Sequence, residues 1–152
     1  MYKKILVPLD GSIISESALA NAVLIANGCH VGELVIINII EPYKDLGHWV
    51  SDDVARRMQQ EAARVARNYL DQIVERLNNE GVVAEAVIAE GDPGEAVLEY
   101  AIKSGADLIV MGTHGRAGIS RLIFGSLAAF IINHSPIPVL LVPPTAQVLK
   151  NN

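Results

Sequence analysis

Apolar residues follow two patterns along this chain, and segments with one pattern alternate with segments of the other. Short runs that are apolar at nearly every position are typical of strands buried on both faces of a sheet, whereas longer runs with an apolar residue every three or four positions are typical of amphipathic helices. The strand-like runs lie at 3–10, 32–42, 82–93, 107–112 and 137–144. The helix-like runs lie at 15–29, 51–81, 94–106 and 120–134. The segment from Tyr43 to Val50 has no clear period and is predicted to be a loop.

This alternation of strand and helix, ending on a fifth strand, predicts an α/β fold with a parallel sheet between two layers of helices. The 152 residues fit one domain, with a core over about 2–143 and a tail over 144–152. Ser15 and Ser51 are the predicted N-caps of the first two helices, and Gly81 and Gly105 the predicted stops of the second and third.

Composition and charge exclude several classes of protein. The net charge of −5 gives no basic surface for nucleic acid or an anionic membrane. No segment reaches the ~20 apolar residues of a membrane span, and the amino-terminal apolar run is too short for a secretory signal. The single cysteine, Cys29, excludes an internal disulfide and is expected to be a buried, unreactive thiol. We therefore expect a soluble cytoplasmic protein that binds neither nucleic acid nor membrane.

Parallel sheets bind ligands beyond the carboxyl ends of their strands, where the strand order reverses. The residues that follow the first and fourth strands are chemically unusual for simple connections: they read PLDGS over 8–12 and MGTHG over 111–115. Four glycines follow the fourth strand, at 112, 115, 118 and 125. Gly125 and Ser126 stand within or at the start of the helical run that continues to Asn133. A helix start supplies unpaired N–H groups and a partial positive charge, and glycine lets the backbone approach an anion closely. This segment therefore predicts a phosphate site formed mainly by the main chain.

Three known phosphate-site patterns do not fit. A Walker A loop requires Lys before its Ser or Thr, and here Ser126 follows Gly125 directly. The dinucleotide fingerprint belongs after the first strand, where Gly11 stands alone. A phosphoacceptor receiver domain requires a Lys at the end of the fifth strand, which reads VLLVPP.

The segment GTHGRAGISRLIFGS resembles the nucleotide motif Gly-x2-Gly-x9-Gly-Ser/Thr of the universal stress protein (UspA) family. The resemblance extends to ILVPLDGS near the amino end and to HSPIPVLLV near the carboxyl end, and so covers nearly the whole chain. It implies a Rossmann-like, adenine nucleotide alpha hydrolase-like sheet of strand order 3-2-1-4-5. Because the glycine motif is intact, it also implies the branch of the family that binds ATP, with Mg²⁺ arriving on the phosphates if at all.

Residue by residue, the resemblance assigns the ribose hydroxyls to Asp10 and the adenine pocket to Pro8, Leu9 and Ile39. Met111 is implied to pack near the nucleotide. The phosphate contacts are implied at Gly112, Gly115, Gly125, Ser126 and Leu127. We add Ser12, His114 and Arg116 as candidate ATP-binding residues, and we expect no catalytic residue and no built-in metal site.

Each assignment has a plainer alternative. Asp10 could serve only the Asp-Gly turn, and Ser12 could cap the following helix. His114 has no acidic residue beside it in sequence to orient it as a base, so an exposed loop histidine or a phosphate contact fits better. Arg116 could pair with phosphate or remain solvated.

The preferred function is a regulatory stress-response protein that holds ATP with little or slow hydrolysis, since phosphoryl transfer requires a positioned base or water and charge-neutralising side chains. Two rivals stay open: a slow ATPase or nucleotide-processing enzyme using the same pocket, and a dimerising adaptor with a vestigial site. The resemblance implies a homodimer through Val139–Val142, an apolar strand that needs cover if it lies at an edge.

Overall fold

The computed structural model describes residues 2–43, 50–113 and 125–144 of the chain. Strands and helices alternate from end to end, as the hydrophobic pattern predicts. In chain order they are β1 (Lys4–Pro8), α1 (Ile13–Cys29), β2 (Glu33–Ile40), α2 (Asp52–Asn79), β3 (Ala84–Glu90), α3 (Pro93–Ser104), β4 (Leu108–Gly112), α4 (Ser126–His134) and β5 (Val139–Val142).

The five strands form one parallel sheet in the order β3-β2-β1-β4-β5, which confirms the predicted order. The first strand, β1, lies at the centre: Leu6 pairs with Val35 of β2 on one side and with Ile109 of β4 on the other. The carboxylate of Asp107, just before β4, accepts hydrogen bonds from the backbone N–H groups of Lys3 (2.7 Å) and Lys4 (3.2 Å). The strand order reverses between β1 and β4, so the gap between their carboxyl ends is where a ligand site is expected.

Two hydrophobic cores cover the two faces of the sheet. Alternate residues of each strand point to opposite faces, as the two-residue period of a strand requires. Val7 and Ile36 belong to the core beneath α1 and α2, while Val35, Ile37 and Ile109 belong to the core beneath α3 and α4. The near-continuous apolar sequence of the central strands follows from this double coverage.

Two helix starts differ from prediction. The first helix begins at Ile13, and its N-cap is Ser12, whose Oγ accepts a hydrogen bond from the N–H of Ser15 at 3.1 Å. The predicted cap, Ser15, was therefore wrong by three residues. The last helix begins at Ser126 with Gly125 as its N-cap. The prediction of a helix that runs unbroken from residue 120 was wrong, because Gly125 is not helical. Residues 114–124 lie outside the described part of the chain.

The remaining predicted helix ends agree with the structure. Ser51 caps α2, its Oγ accepting from the N–H of Val54. Gly105 ends α3 in the left-handed conformation, with φ of +70°, and Gly81 follows the end of α2 with φ of +83°. Cys29, the last residue of α1, is half-buried, so the prediction of a buried thiol was wrong.

The long helix α2 packs on the sheet along only part of its length. Its buried residues are Ala66, Leu70, Ile73 and Leu77, all in the carboxyl-terminal half. In the other half the apolar stripe stays open to solvent, with Met58 41% and Val65 54% exposed. The amino-terminal half of α2 therefore leaves its apolar stripe uncovered. No helix in the described ranges has the length and hydrophobicity that crossing a bilayer requires.

Candidate functional site

A cavity of about 600 Å³ opens at the carboxyl edge of the sheet, between the ends of β1, β2 and β4 and the starts of α3 and α4. It lies where the reversal of strand order predicts a ligand site. The predicted site residues that line it are Pro8, Leu9, Asp10, Ile39, Met111, Gly112, Gly125, Ser126 and Leu127. The other predicted contacts are Ser12, which caps α1, and His114, Gly115 and Arg116, which lie outside the described residues.

Asp10 occupies a tight turn between β1 and α1. Its Oδ1 accepts a hydrogen bond from the N–H of Ser12 at 2.9 Å, and its own N–H donates to Ser15 Oγ at 3.3 Å. Gly11 has φ of +84°, a conformation that side chains other than glycine rarely adopt. Asp10 thus has the turn role that its plainer alternative gave it, yet its side chain is exposed and lines the cavity. The turn fixes the position of a carboxylate at the mouth of the site.

Gly112, at the end of β4, is enclosed by the start of α1. A Cβ atom added there would lie 2.4 Å from the carbonyl oxygen of Ile14. Glycine is therefore required because β4 and α1 touch through their main chains, whatever ligand the site binds. This packing reason is independent of the phosphate role that the sequence suggested.

The start of α4 differs from the other helix starts in the described part of the chain. Side chains cap α1, α2 and α3: Ser12, Ser51 and Asp92 each accept a hydrogen bond from a first-turn N–H group. In α4 the N-cap is Gly125, and among the described residues no side chain caps the first turn. Because Gly125, Ser126 and Leu127 line the cavity, the positive end of this helix dipole and its uncapped N–H groups face the site.

Carboxylates also line the cavity. Asp10, Glu41 and Asp92 line it, and no Lys or Arg is among its described lining residues. Asp92 is already engaged, since its Oδ1 accepts from the N–H groups of Gly94 at 3.0 Å and Glu95 at 3.1 Å and so neutralises the start of α3. The cavity therefore combines a helix start that attracts anions, at α4, with carboxylate acceptors such as Asp10.

Several lining residues were not predicted as site residues, and three of them, Asn38, Gly94 and Phe130, are informative. Asn38 is the only polar residue between Leu34 and Ile40 of β2. Phe130 and Gly94 contact each other so closely that a Cβ on Gly94 would lie 2.4 Å from Phe130 Cδ1. An isolated polar residue within an apolar strand was the available signal for Asn38. Gly94 and Phe130 gave no signal, because their contact joins two helices that are distant in sequence.

A second, larger groove of about 910 Å³ lies on the α2 side and shares Asp10, Asn38 and Ile39 with the cavity. Tyr69 of α2 lines it, and its hydroxyl donates a 2.6 Å hydrogen bond to Glu16 Oε1 of α1. Burial, together with the bonded Glu16 carboxylate, raises the pKa of Tyr69 far above its usual value, so the hydroxyl stays protonated and the link persists. This bond joins α2 to α1 close to the Asp10 turn.

Among the described residues, no three His, Cys, Asp or Glu side chains are grouped closely enough to hold a metal ion. A divalent cation at this site would therefore need ligands from the bound molecule itself, as Mg²⁺ commonly takes them from nucleotide phosphates.

Comparison with known proteins gives a consistent result. The sequence model of the universal stress protein family matches residues 1–143. Universal stress protein MJ0531 of Methanocaldococcus jannaschii is 33% identical over 144 residues, which cover 93% of this chain and 82% of the relative.

Solved structures show the same fold. That of MJ0577, also a universal stress protein of Methanocaldococcus jannaschii, has a TM-score of 0.81 at 27% identity and covers 95% of this chain and 98% of the other. A universal stress protein in complex with cAMP has a TM-score of 0.67 at 26% identity, covering 95% and 99% of the two chains. Because the family match spans nearly every residue and the strand order is the one the family implies, the chain belongs to the universal stress protein family.

Proposed function

We propose that this protein is a regulatory ATP-binding member of its family, which holds the nucleotide as a signal and does not turn it over rapidly. The observation that carries the proposal is the uncapped start of α4, which lines a cavity that carboxylates also line. A nucleotide needs both kinds of partner, because it carries phosphates on one side of the sugar and hydroxyl donors on the other. The complex of a related universal stress protein with cAMP supports an adenine nucleotide as the ligand.

In this arrangement the phosphates lie at Gly112, Gly125 and the first N–H groups of α4, where the helix dipole favours negative charge. The ribose lies at Asp10. The flat, apolar walls around the base are Pro8, Leu9, Ile39 and Met111, of which Leu9 and Met111 are each only 3% exposed. Mg²⁺, if present, arrives with the phosphates, because the described lining offers it no dedicated site.

Holding the nucleotide, rather than cleaving it, agrees with the lining. Rapid phosphoryl transfer uses Lys, Arg or a metal to neutralise developing charge, together with a residue that positions the attacking group. The described lining of the cavity contains no Lys, Arg or His. The rival function, a nucleotide hydrolase, requires steady release of phosphate. We expect turnover below ~1 s⁻¹, and a faster steady state would establish the rival instead.

Replacing Ser126 by proline tests the phosphate site directly. Proline is favoured as the first residue of a helix, and Gly125, with φ −55° and ψ 159°, already has the extended conformation that a residue before proline adopts. Ser126→Pro therefore removes one N–H donor while the helix persists. A charge-assisted hydrogen bond contributes about 1.5–3 kcal/mol, so we expect ATP affinity to fall about 10- to 150-fold in isothermal titration calorimetry.

Ser126→Ala is the matched control, because it keeps the N–H and deletes only the hydroxyl. A main-chain phosphate site predicts that the alanine variant loses much less affinity than the proline variant. Equal losses in both would show that the hydroxyl, not the helix start, makes the contact. Unchanged ATP binding in Ser126→Pro, with the circular dichroism of the folded protein, would contradict the proposed phosphate position. A wild type that binds no ATP would favour the adaptor with a vestigial site.

We also propose that the protein acts in the cytoplasm as a homodimer, in which β5 pairs with β5 of a second copy. This strand is at the edge of the sheet, and Leu140 is 36% exposed there. An apolar edge strand invites pairing unless it is covered. We expect a dimer in sedimentation equilibrium at micromolar concentration, converted to monomer by Leu140→Lys but not by Ile132→Lys, which changes an exposed residue of α4. A monomeric wild type would overturn this assembly.

A further inference from the structure

Asn38 is held at the boundary between the cavity and the α2 groove and has one atom left to bind a ligand. Its Nδ2 donates a 2.7 Å hydrogen bond to the carbonyl oxygen of Leu9, the residue before Asp10. A carbonyl oxygen can only accept, so the nitrogen of the amide must face it. The oxygen, Oδ1, is consequently the end of the side chain that points away from β1.

No hydrogen bond in the described part of the chain uses Asn38 Oδ1, and no side-chain oxygen there is both buried and without a partner. This oxygen is therefore open to solvent. Asn38 lines both the cavity and the α2 groove, and Asp10 and Ile39 line both as well. Asn38 Oδ1 and the Asp10 carboxylate are thus two neighbouring hydrogen-bond acceptors at the boundary between the cavity and the α2 groove.

The alternation of β2 fixes the side on which Asn38 lies. Leu34 and Ile36 belong to the core beneath α1 and α2, so Asn38 shares that face, whereas Ile39 packs with the core beneath α3 and α4. The uncapped start of α4 belongs to the opposite side of the sheet from Asn38. A ligand that reaches both must cross the carboxyl edge of the sheet at Asp10.

A ribonucleotide has the shape for this crossing. Its 5′-phosphates and its 2′- and 3′-hydroxyls lie at opposite ends of the sugar, so phosphates at α4 direct the hydroxyls towards Asp10 and Asn38. Two vicinal hydroxyls are two donors, which match two neighbouring acceptors. We propose that Asn38 recognises the ribose and that, together with Asp10, it makes the site select ribonucleotides over their deoxy counterparts. This proposal rests on the proposed function.

The test compares ATP, 2′-deoxy-ATP and 3′-deoxy-ATP on the full chain by isothermal titration calorimetry. For the wild type we expect at least one deoxy analogue to bind about 2- to 10-fold more weakly than ATP, as the loss of one neutral hydrogen bond predicts. Asn38→Leu keeps the branched shape but has no acceptor. In this variant the ratio should fall to about 1 for the analogue that lacks the hydroxyl bound by Asn38, and should persist for the analogue that lacks the hydroxyl bound by Asp10. Should Asn38→Leu fail to fold, Asn38→Ala is measured in its place.

Asn133→Leu is the matched control. Asn133 also donates its Nδ2 to a backbone carbonyl, that of Ala129 at 2.8 Å, but it is exposed on α4 and lines neither space. In Asn133→Leu the ratio of ATP affinity to deoxy-analogue affinity should equal that of the wild type. If Asn38 merely supported the Leu9 carbonyl, Asn38→Leu would weaken the binding of ATP and of both analogues equally. The affinity ratios between ATP and the analogues would then be those of the wild type.

That uniform loss would overturn the ribose role, as would equal affinity of the wild type for all three nucleotides. In both cases ATP binding itself would stand. If ATP did not bind to the wild type, the proposed function would fail, and the ribose role would fail with it.

Discussion

Gly112→Ala should destabilise the protein by about 1–3 kcal/mol and weaken ATP binding at the same time. The new methyl group would lie 2.4 Å from the Ile14 carbonyl oxygen and 3.2 Å from the carbonyl carbon. Both are main-chain atoms, so no rotation of a side chain relieves the contact, and either β4 or the first turn of α1 must shift. Because both segments border the cavity, the shift changes its shape. Urea unfolding measures the stability loss, and calorimetric titration measures the affinity.

Gly28→Ala is the control for this prediction. Gly28 is in the last turns of α1 and is exposed, and a Cβ added there meets nothing within 4 Å. Replacing a helical glycine by alanine should stabilise the protein by up to ~1 kcal/mol. A Gly112→Ala variant as stable as the wild type would show that β4 and α1 separate easily. The close contact would then have no energetic importance.

Leu70→Ala should cost about 2–5 kcal/mol, the range for truncating a fully buried leucine. Leu70 is 0% exposed and belongs to the core between α2 and the sheet. For a domain of this size each kcal/mol lowers the melting temperature by about 2–4 °C, so differential scanning calorimetry should record a large drop.

Leu24→Ala makes the same chemical change on α1, where Leu24 is 70% exposed. Its effect should stay within about 0.5 kcal/mol. Val65→Ala, five residues before Leu70 in the uncovered half of α2, should likewise have little effect. Similar losses for Val65→Ala and Leu70→Ala would mean that the amino-terminal half of α2 is packed in solution.

The order of elements and the strand order could be predicted because each strand and helix has its own hydrophobic period, and because ligand sites follow the reversal of strand order. Local chemistry left some boundaries ambiguous. Ser12 and Ser15 are both good caps, and the choice between them depends on the turn that Gly11, with its positive φ, and the Asp10 carboxylate make together.

Other features depend on distant contacts and could not be read from the pattern. The apolar stripe of α2 runs along the whole helix, but its buried residues begin only at Ala66. Where burial begins depends on which part of the helix contacts the sheet, and the helix's own sequence does not contain that information. The sequence marks Gly112 as unusual without revealing that the cause is the Ile14 carbonyl. Likewise, Asn38 gains its importance from the Leu9 carbonyl, 29 residues away along the chain.

The central position of β1 has a consequence for how the protein is made. On the ribosome β1 is synthesised first, yet its neighbour β4, and the Asp107 carboxylate that binds the N–H groups of Lys3 and Lys4, emerge about a hundred residues later. Until then one edge of this apolar strand has no partner, and such edges attract other chains. The nascent protein must therefore either be shielded during synthesis or delay forming its sheet until β4 has been translated.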